Sequence, residues 1–145
     1  MKEKFPYLGN QVTITEDMCD LNGHMNVIYY AKIFEDEFPF YQSLGFYSDH
    51  FEKGFSFFTL EMNVRYFKEM KQGEIAYPCF RYFKIKPKLI HYGGVLLNET
   101  GEVSSFTENV LVHVDMSTRR SCEMPAETID HLNKMLEEHN STGEV

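Results

Sequence analysis

The spacing of apolar and polar residues changes along the chain, and the changes mark its elements. Val12 and Ile14 alternate with Gln11, Thr13 and Thr15, which predicts a short strand over 10–15. A polar turn follows, through Asn22, Gly23 and His24. From Val27 the period becomes helical. Val27, Tyr30, Ala31, Phe34, Phe38 and Tyr41 recur at spacings of three and four and form one apolar stripe, with Lys32, Glu35, Asp36 and Gln42 away from it. Asn26 suits the N-cap. Pro39 should kink or stop this helix, and Gly45 should close it.

Alternation then returns. Phe58, Leu60, Met62, Val64 and Tyr66 share one parity, and Thr59, Glu61, Asn63 and Arg65 share the other, as expected of a strand with one buried face. After a turn at Gln72–Glu74, further strands are predicted over 75–87, 89–97 and 104–115, with a turn at Asn98–Gly101. Pro125 opens a short amphipathic helix carrying Ile129, Leu132, Met135 and Leu136. Consecutive strands with short connections make an antiparallel sheet, and a single sheet must bury one face. The expected fold is α+β: one domain over 1–145, a curved antiparallel sheet around a long central helix. The sheet's remaining edge or face is expected to meet a second copy, as a homodimer or a dimer of dimers.

Composition narrows the function classes. The net charge of −8 lacks the basic footprint that nucleic-acid binding requires. No apolar run is long enough for a membrane span, and Met1–Asn10 lacks the apolar core of a secretory signal, so no membrane partner is expected. Cys19, Cys79 and Cys122 are scattered without a CxxC, which argues against a disulfide scaffold or structural zinc and suits a reducing cytoplasm. His113 and Asp115 lie two residues apart, but no further ligand stands at short spacing, so no metal is expected.

The chemistry concentrates in Asp20–Asn26, DLNGHMN, between the first strand and the helix. The first amides of a helix have no internal partner and form a preorganised site for a developing oxyanion. Gly23 allows the turn, and a carboxylate at Asp20 faces the same small volume. Other roles suit the same residues: Asp20 as a cap or turn residue, His24 as a turn or interface residue, Asn26 simply as the N-cap. Glu61 lies on the polar parity of its strand, either solvated or in a pocket. Glu108 shares parity with Phe106, Val110, Val112 and Val114, an apolar set, and should therefore be paired or shifted in pKa. His91 either contacts substrate or satisfies Glu108, and His113 is an alternative partner. Cys19 reads as a packed neighbour of the motif. Arg65, Lys68, Lys71, Arg119 and Arg120 suit either a phosphate group or plain surface.

DLNGHMN resembles the Asp-x-x-Gly-His-Val-Asn signature of hot-dog-fold acyl-CoA thioesterases, those like 4-hydroxybenzoyl-CoA thioesterase, with Met25 where Val is usual. The helix YYAKIFEDE and the strand NVRYFKEMKQGE extend the resemblance over nearly the whole chain. Thr59–Glu74 (TLEMNVRYFKEMKQGE), Lys88–His91 (KLIH) and Leu111–Ser121 (LVHVDMSTRRS) further resemble the thioesterases of carnitine degradation, which act on betainyl-CoA. The resemblance implies a hot-dog fold and hydrolysis of a small acyl-CoA to free acid and CoA, with no cofactor beyond the CoA of the substrate. It implies Asp20 as general base or nucleophile, the amides around Val27 polarising the thioester carbonyl, and an active site at a subunit interface. Met18 stands where many relatives carry a further Asp, and Val27 where a second Asn often follows. Glu61 is the second catalytic candidate. His24, Asn26, Val27, Tyr66, His91 and Glu108 are the candidate substrate contacts. A betainyl group would need an aromatic cage, for which Phe55, Phe57, Phe58, Tyr66 and Tyr92 are candidates with Glu61 nearby. The rival expectations are a hot-dog dehydratase or hydratase, which needs a paired His and acid, a non-catalytic acyl-CoA-binding or assembly module, and a structural subunit of a larger enzyme.

Overall fold

The computed structural model describes residues 1–40 and 49–140, so Tyr41, Gln42 and Gly45 lie outside the described residues. In chain order the elements are β1 (Tyr7–Leu8), β2 (Val12–Thr13), a 3-10 turn (Glu16–Met18), α1 (Val27–Glu37), α2 (Asp49–Glu52), β3 (Phe55–Tyr66), β4 (Ile75–Ile85), β5 (Leu89–Leu97), β6 (Val103–Asp115), β7 (Arg120–Ser121) and α3 (Ala126–Asn140). The strands form one antiparallel sheet in the order β1-β4-β5-β6-β3, with β2 beside β4 and β7 beside β6. This is the expected α+β hot-dog architecture: sheet on one side, helix on the other. Among the described residues no helix is long and apolar enough to cross a membrane.

Antiparallel partners point to the same face, so the register sorts the side chains. Phe80 opposes Gly94, Tyr82 opposes Tyr92, and Ile90 opposes Leu111. These residues form the inner face. Tyr30, Ile33 and Phe34 of α1 and Leu132 and Met135 of α3 pack into the same core. Gly94 is required there, because a Cβ would stand 2.8 Å from the Phe80 ring. The outer face carries Cys79, Val95 and Leu97, covered by Phe5 of the N-terminal segment.

Several details differ from the pattern in the sequence. The first strand shrinks to Val12–Thr13, because Thr15 already caps the 3-10 turn. In α1 it is Ile33 that is buried, while Val27 is 56% exposed, since the helix's first turn stands clear of the sheet. The third difference is a bulge in β3: Thr59 opposes Leu111 and Glu61 opposes Val110, so Leu60 is the extra residue and parity switches there. Phe58 therefore falls on the outer face, apart from Met62, Val64 and Tyr66. α1 ends at Glu37, and Phe38 leaves it with an extended ψ of 117°, as the residue before Pro39 must. Glu108 is exposed on the outer face, so the expected burial penalty does not arise.

α3 is tied to the sheet through a histidine. The N–H of Tyr82 donates to His139 Nδ1 at 3.1 Å, and the two rings stack. That acceptor exists only on a neutral imidazole. Burial, the largest effect, holds the His139 pKa below its ordinary value.

Two outcomes are expected. Phe34→Ala should cost about 3–5 kcal/mol in urea unfolding, since it empties a fully buried site. Below about pH 6.5 the unfolded chain binds a proton that folded His139 resists, so stability is full above that pH and falls with acidification. His91 and His113 shift in the same direction. The urea midpoint should drop between pH 7.5 and 5.5, and the drop should be smaller in His139→Gln, which retains an acceptor.

Candidate active site

The segment before α1 is fixed by its backbone. Asp20 N–H donates to the His24 carbonyl at 3.1 Å and Gly23 N–H to the Asp20 carbonyl at 3.0 Å, closing a tight loop. Gly23 sits at φ 80°, where any side chain would be strained. Met25 N–H reaches the Met70 carbonyl at 2.7 Å and Asn26 N–H the Met18 carbonyl at 2.9 Å. The chain then enters α1 with Asn26 as its cap.

Asn26 Oδ1 accepts from Ile28 N–H at 3.0 Å, and the Asn26 carbonyl accepts from Tyr29 N–H at 3.0 Å. Val27 N–H makes no hydrogen bond within the described residues. It is a free donor at the positive end of the helix. Asp20 offers one carboxylate oxygen to Asn22 N–H at 2.9 Å, as a turn residue does, and the other lies 3.5 Å from His24 Nε2. His24 Nδ1 in turn lies 3.1 Å from Glu69 Oε2. The His24 contact, with help from Lys71, holds the Glu69 carboxyl below the usual range. His24, Val27, Tyr30, Tyr66 and Lys68 line a cavity of about 250 Å³ at this end of the helix, and the Tyr30 and Tyr66 rings meet edge to face at 5.0 Å.

Five of the candidates read from the sequence thus gather at the start of α1: Asp20, His24, Asn26, Val27 and Tyr66. The other three do not. Glu61 opposes Val110, and Val110 opposes His91, so Glu61 and His91 stand in one row on the outer face, opposite α1. Glu108 occupies the next row, and all three border a separate cavity of about 480 Å³ with Asn63, Phe83 and Lys84. Burial, seconded by Lys86 and Lys84, depresses the His91 pKa. His91 Nε2 is buried and has no hydrogen-bond partner among the described residues. His113 points instead to the inner face, where its Nε2 lies 2.9 Å from His50 Nε2. Among the described residues no group of three or more His, Cys, Asp or Glu is arranged to hold a metal ion.

The proposed cage aromatics also part company. Phe55 stacks on His113, Phe58 is exposed on the outer face and Tyr66 stays with Tyr30. Phe57 and Tyr92 meet at the far end of α1, in a third cavity of about 410 Å³ that Glu35, Phe38 and Phe40 complete. Sequence reading missed Glu69 and Glu35. Glu69 lay unremarked within a quoted strand string, and Glu35 appeared only as a polar residue off the apolar stripe.

Residues 13–132 match the family model of the thioesterase-like superfamily, and the chain belongs to that superfamily. It is 28% identical over 133 residues to an L-carnitine dehydrogenase/betainyl-CoA thioesterase of Agrobacterium fabrum, covering 89% of this chain and 28% of that protein. The chain thus spans little more than a quarter of this relative. A betainyl-CoA thioesterase of Pseudomonas aeruginosa is 22% identical, with 90% of this chain and 84% of that protein covered. Among solved structures, a hypothetical protein of Staphylococcus aureus in complex with CoA superposes with a TM-score of 0.82 at 25% identity, covering 90% of this chain and 85% of the other. A DHNA-CoA thioesterase of Staphylococcus aureus gives 0.84 at 19% identity, with 96% of both chains covered.

Asn26→Ala removes the acceptor of Ile28 N–H and should cost about 1 kcal/mol in thermal or urea unfolding, whereas Asn26→Asp should retain most of the stability.

Proposed function

We propose that the chain is an acyl-CoA thioesterase that hydrolyses a small acyl-CoA, betainyl-CoA foremost, to the free acid and CoA. The observation that carries this reading is the free Val27 N–H at the start of α1, with the Asp20 carboxylate in the loop that leads into it. The amide accepts the thioester oxygen as it gains negative charge in the tetrahedral intermediate. Asp20 either takes a proton from the attacking water or attacks the carbonyl itself to give a mixed anhydride that water then opens. In both routes the C–S bond breaks and CoA leaves as the thiolate. His24, 3.5 Å from Asp20, orients the carboxylate. Lys68, on the wall of the same cavity, suits the anionic CoA.

The names of the curated relatives support the betainyl group, and the CoA complex of the similar staphylococcal fold supports the CoA portion. The edge of β3 points to a homodimer, since this twelve-residue strand ends the sheet and exposes Leu60 and Tyr66. Three free thiols suit a cytoplasmic location.

Free-thiol release from a panel of acyl-CoAs tests the reading. Betainyl-CoA should be turned over, and Asp20→Asn should lower kcat/KM by about 10²–10⁴ with the fold retained by circular dichroism. An unchanged rate would remove Asp20 from the chemistry. No release across the panel would favour a binding module.

A further inference from the structure

The cavity at the far end of α1 has the chemistry of an organic-cation site. Phe38 stacks on Tyr92 with centroids 4.3 Å apart, and Phe40 meets Phe57 edge to face at 5.0 Å. Among the described residues the Glu35 carboxylate is the only charged group on its wall, whereas Lys68 and Lys84 line the other two cavities. Aromatic faces beside a carboxylate suit a quaternary ammonium group. Its volume lies within the usual range for small-ligand pockets.

Eight residues separate Val27 from Glu35, which at helical rise is about 12 Å. In a trimethylammonioacetyl thioester the nitrogen stands two bonds from the carbonyl carbon, about 2.5 Å away. One chain cannot hold the carbonyl at Val27 and the cation at its own Glu35. Helix α1, however, lies antiparallel to β3: its start packs at Tyr66 and its end at Phe57. The outer edge of β3 has no neighbouring strand among the described residues. If two copies pair their β3 edges antiparallel about a two-fold axis, the Phe57 end of one strand lies beside the Tyr66 end of the other.

We infer that the Glu35 cavity of one copy binds the cationic end of the acyl group whose thioester carbonyl sits at the α1 start of the second copy. The inference rests on the thioesterase reading above. It adds a specificity pocket made by Glu35, Phe38, Phe57 and Tyr92, and it makes the site incomplete in a single chain. The Glu35 charge already reaches the pocket wall, since it adds to the burial that raises the Tyr92 pKa.

The test compares trimethylammonioacetyl-CoA with its neutral isostere, 3,3-dimethylbutanoyl-CoA, on the full chain. The wild type should favour the cation in kcat/KM, and Glu35→Gln and Phe57→Leu should each lower that ratio by about three- to thirty-fold. Glu35 is exposed, so its substitution should not disturb folding. A heterodimer of Glu35→Gln and Asp20→Asn chains, isolated through two different tags, then locates the pocket. A pocket shared across the two-fold leaves one site with neither substitution and restores the wild-type ratio. A pocket serving its own chain leaves the ratio low and overturns the sharing. A ratio unmoved by Glu35→Gln, or a chain that forms no dimer, overturns the inference while leaving the thioesterase reading in place. Absence of release from both thioesters by the wild type would instead overturn the thioesterase reading itself.

Discussion

The structure depends on where α1 begins. Two backbone hydrogen bonds, Met25 N–H to the Met70 carbonyl and Asn26 N–H to the Met18 carbonyl, lock the entry of the helix between the 3-10 turn and the segment after β3. Tyr30 strengthens the lock, accepting the Met70 N–H at its hydroxyl. Once the start is fixed, the 3.6-residue period sends Tyr30, Ile33 and Phe34 onto Phe80 and Ile90, and the helix has one orientation on the sheet. That orientation aims the Val27 amide away from the core and carries Glu35 to the other end. Core packing and active-site geometry are two consequences of the same constraint.

Much of this was legible in the sequence. The central strands over 75–97 and 104–115 were readable as strand runs set between turns, and the structure has β4, β5 and β6 there, with register shifts at Tyr82/Lys84 and Leu96/Leu97 that the sequence does not show. The cap at Asn26 and the stop before Pro39 follow from local chemistry, and the structure shows both. The grouping of Asp20 with His24 and Val27 was also readable, since a loop of a few residues leaves little freedom. What the sequence could not reveal depends on pairing. Glu61 stood open between a solvated and a pocket role, and register with Val110 and His91 puts it on the face away from α1, bordering the cavity it shares with Glu108. Glu35 looked like a solvated helix residue, because helical period says nothing of which strand ends lie beside the helix's last turn.

Charge is partitioned in a way that the net value of −8 hides. The helix start sets the free amide and Lys68 beside the Asp20 and Glu69 carboxylates, and Lys68 also pairs with Glu102. Among the described residues the far cavity gathers a carboxylate and aromatic rings without a cation. An acyl-CoA with a cationic acyl group is anionic at the nucleotide end and positive at the acyl end. Within the proposed dimer the cationic end of the acyl group would face the Glu35 carboxylate, which favours one orientation of that end.

The bulge at Leu60 makes this arrangement possible on a single strand. In an unbroken strand, Phe57 and Thr59 would share a face with Glu61 and Asn63, and Met62, Val64 and Tyr66 would point the other way. Turning Phe57 toward α1 would then turn Tyr66 away from it. The extra residue resets the parity. Phe57 stays opposite His113 and Met62 opposite Asn109, both on the inner face, while Glu61 is released to the outer one. One inserted residue thus lets β3 supply an aromatic side chain to both ends of the same helix. It also twists the strand locally at an edge that is otherwise open to pairing, which restricts the registers in which a second copy can add.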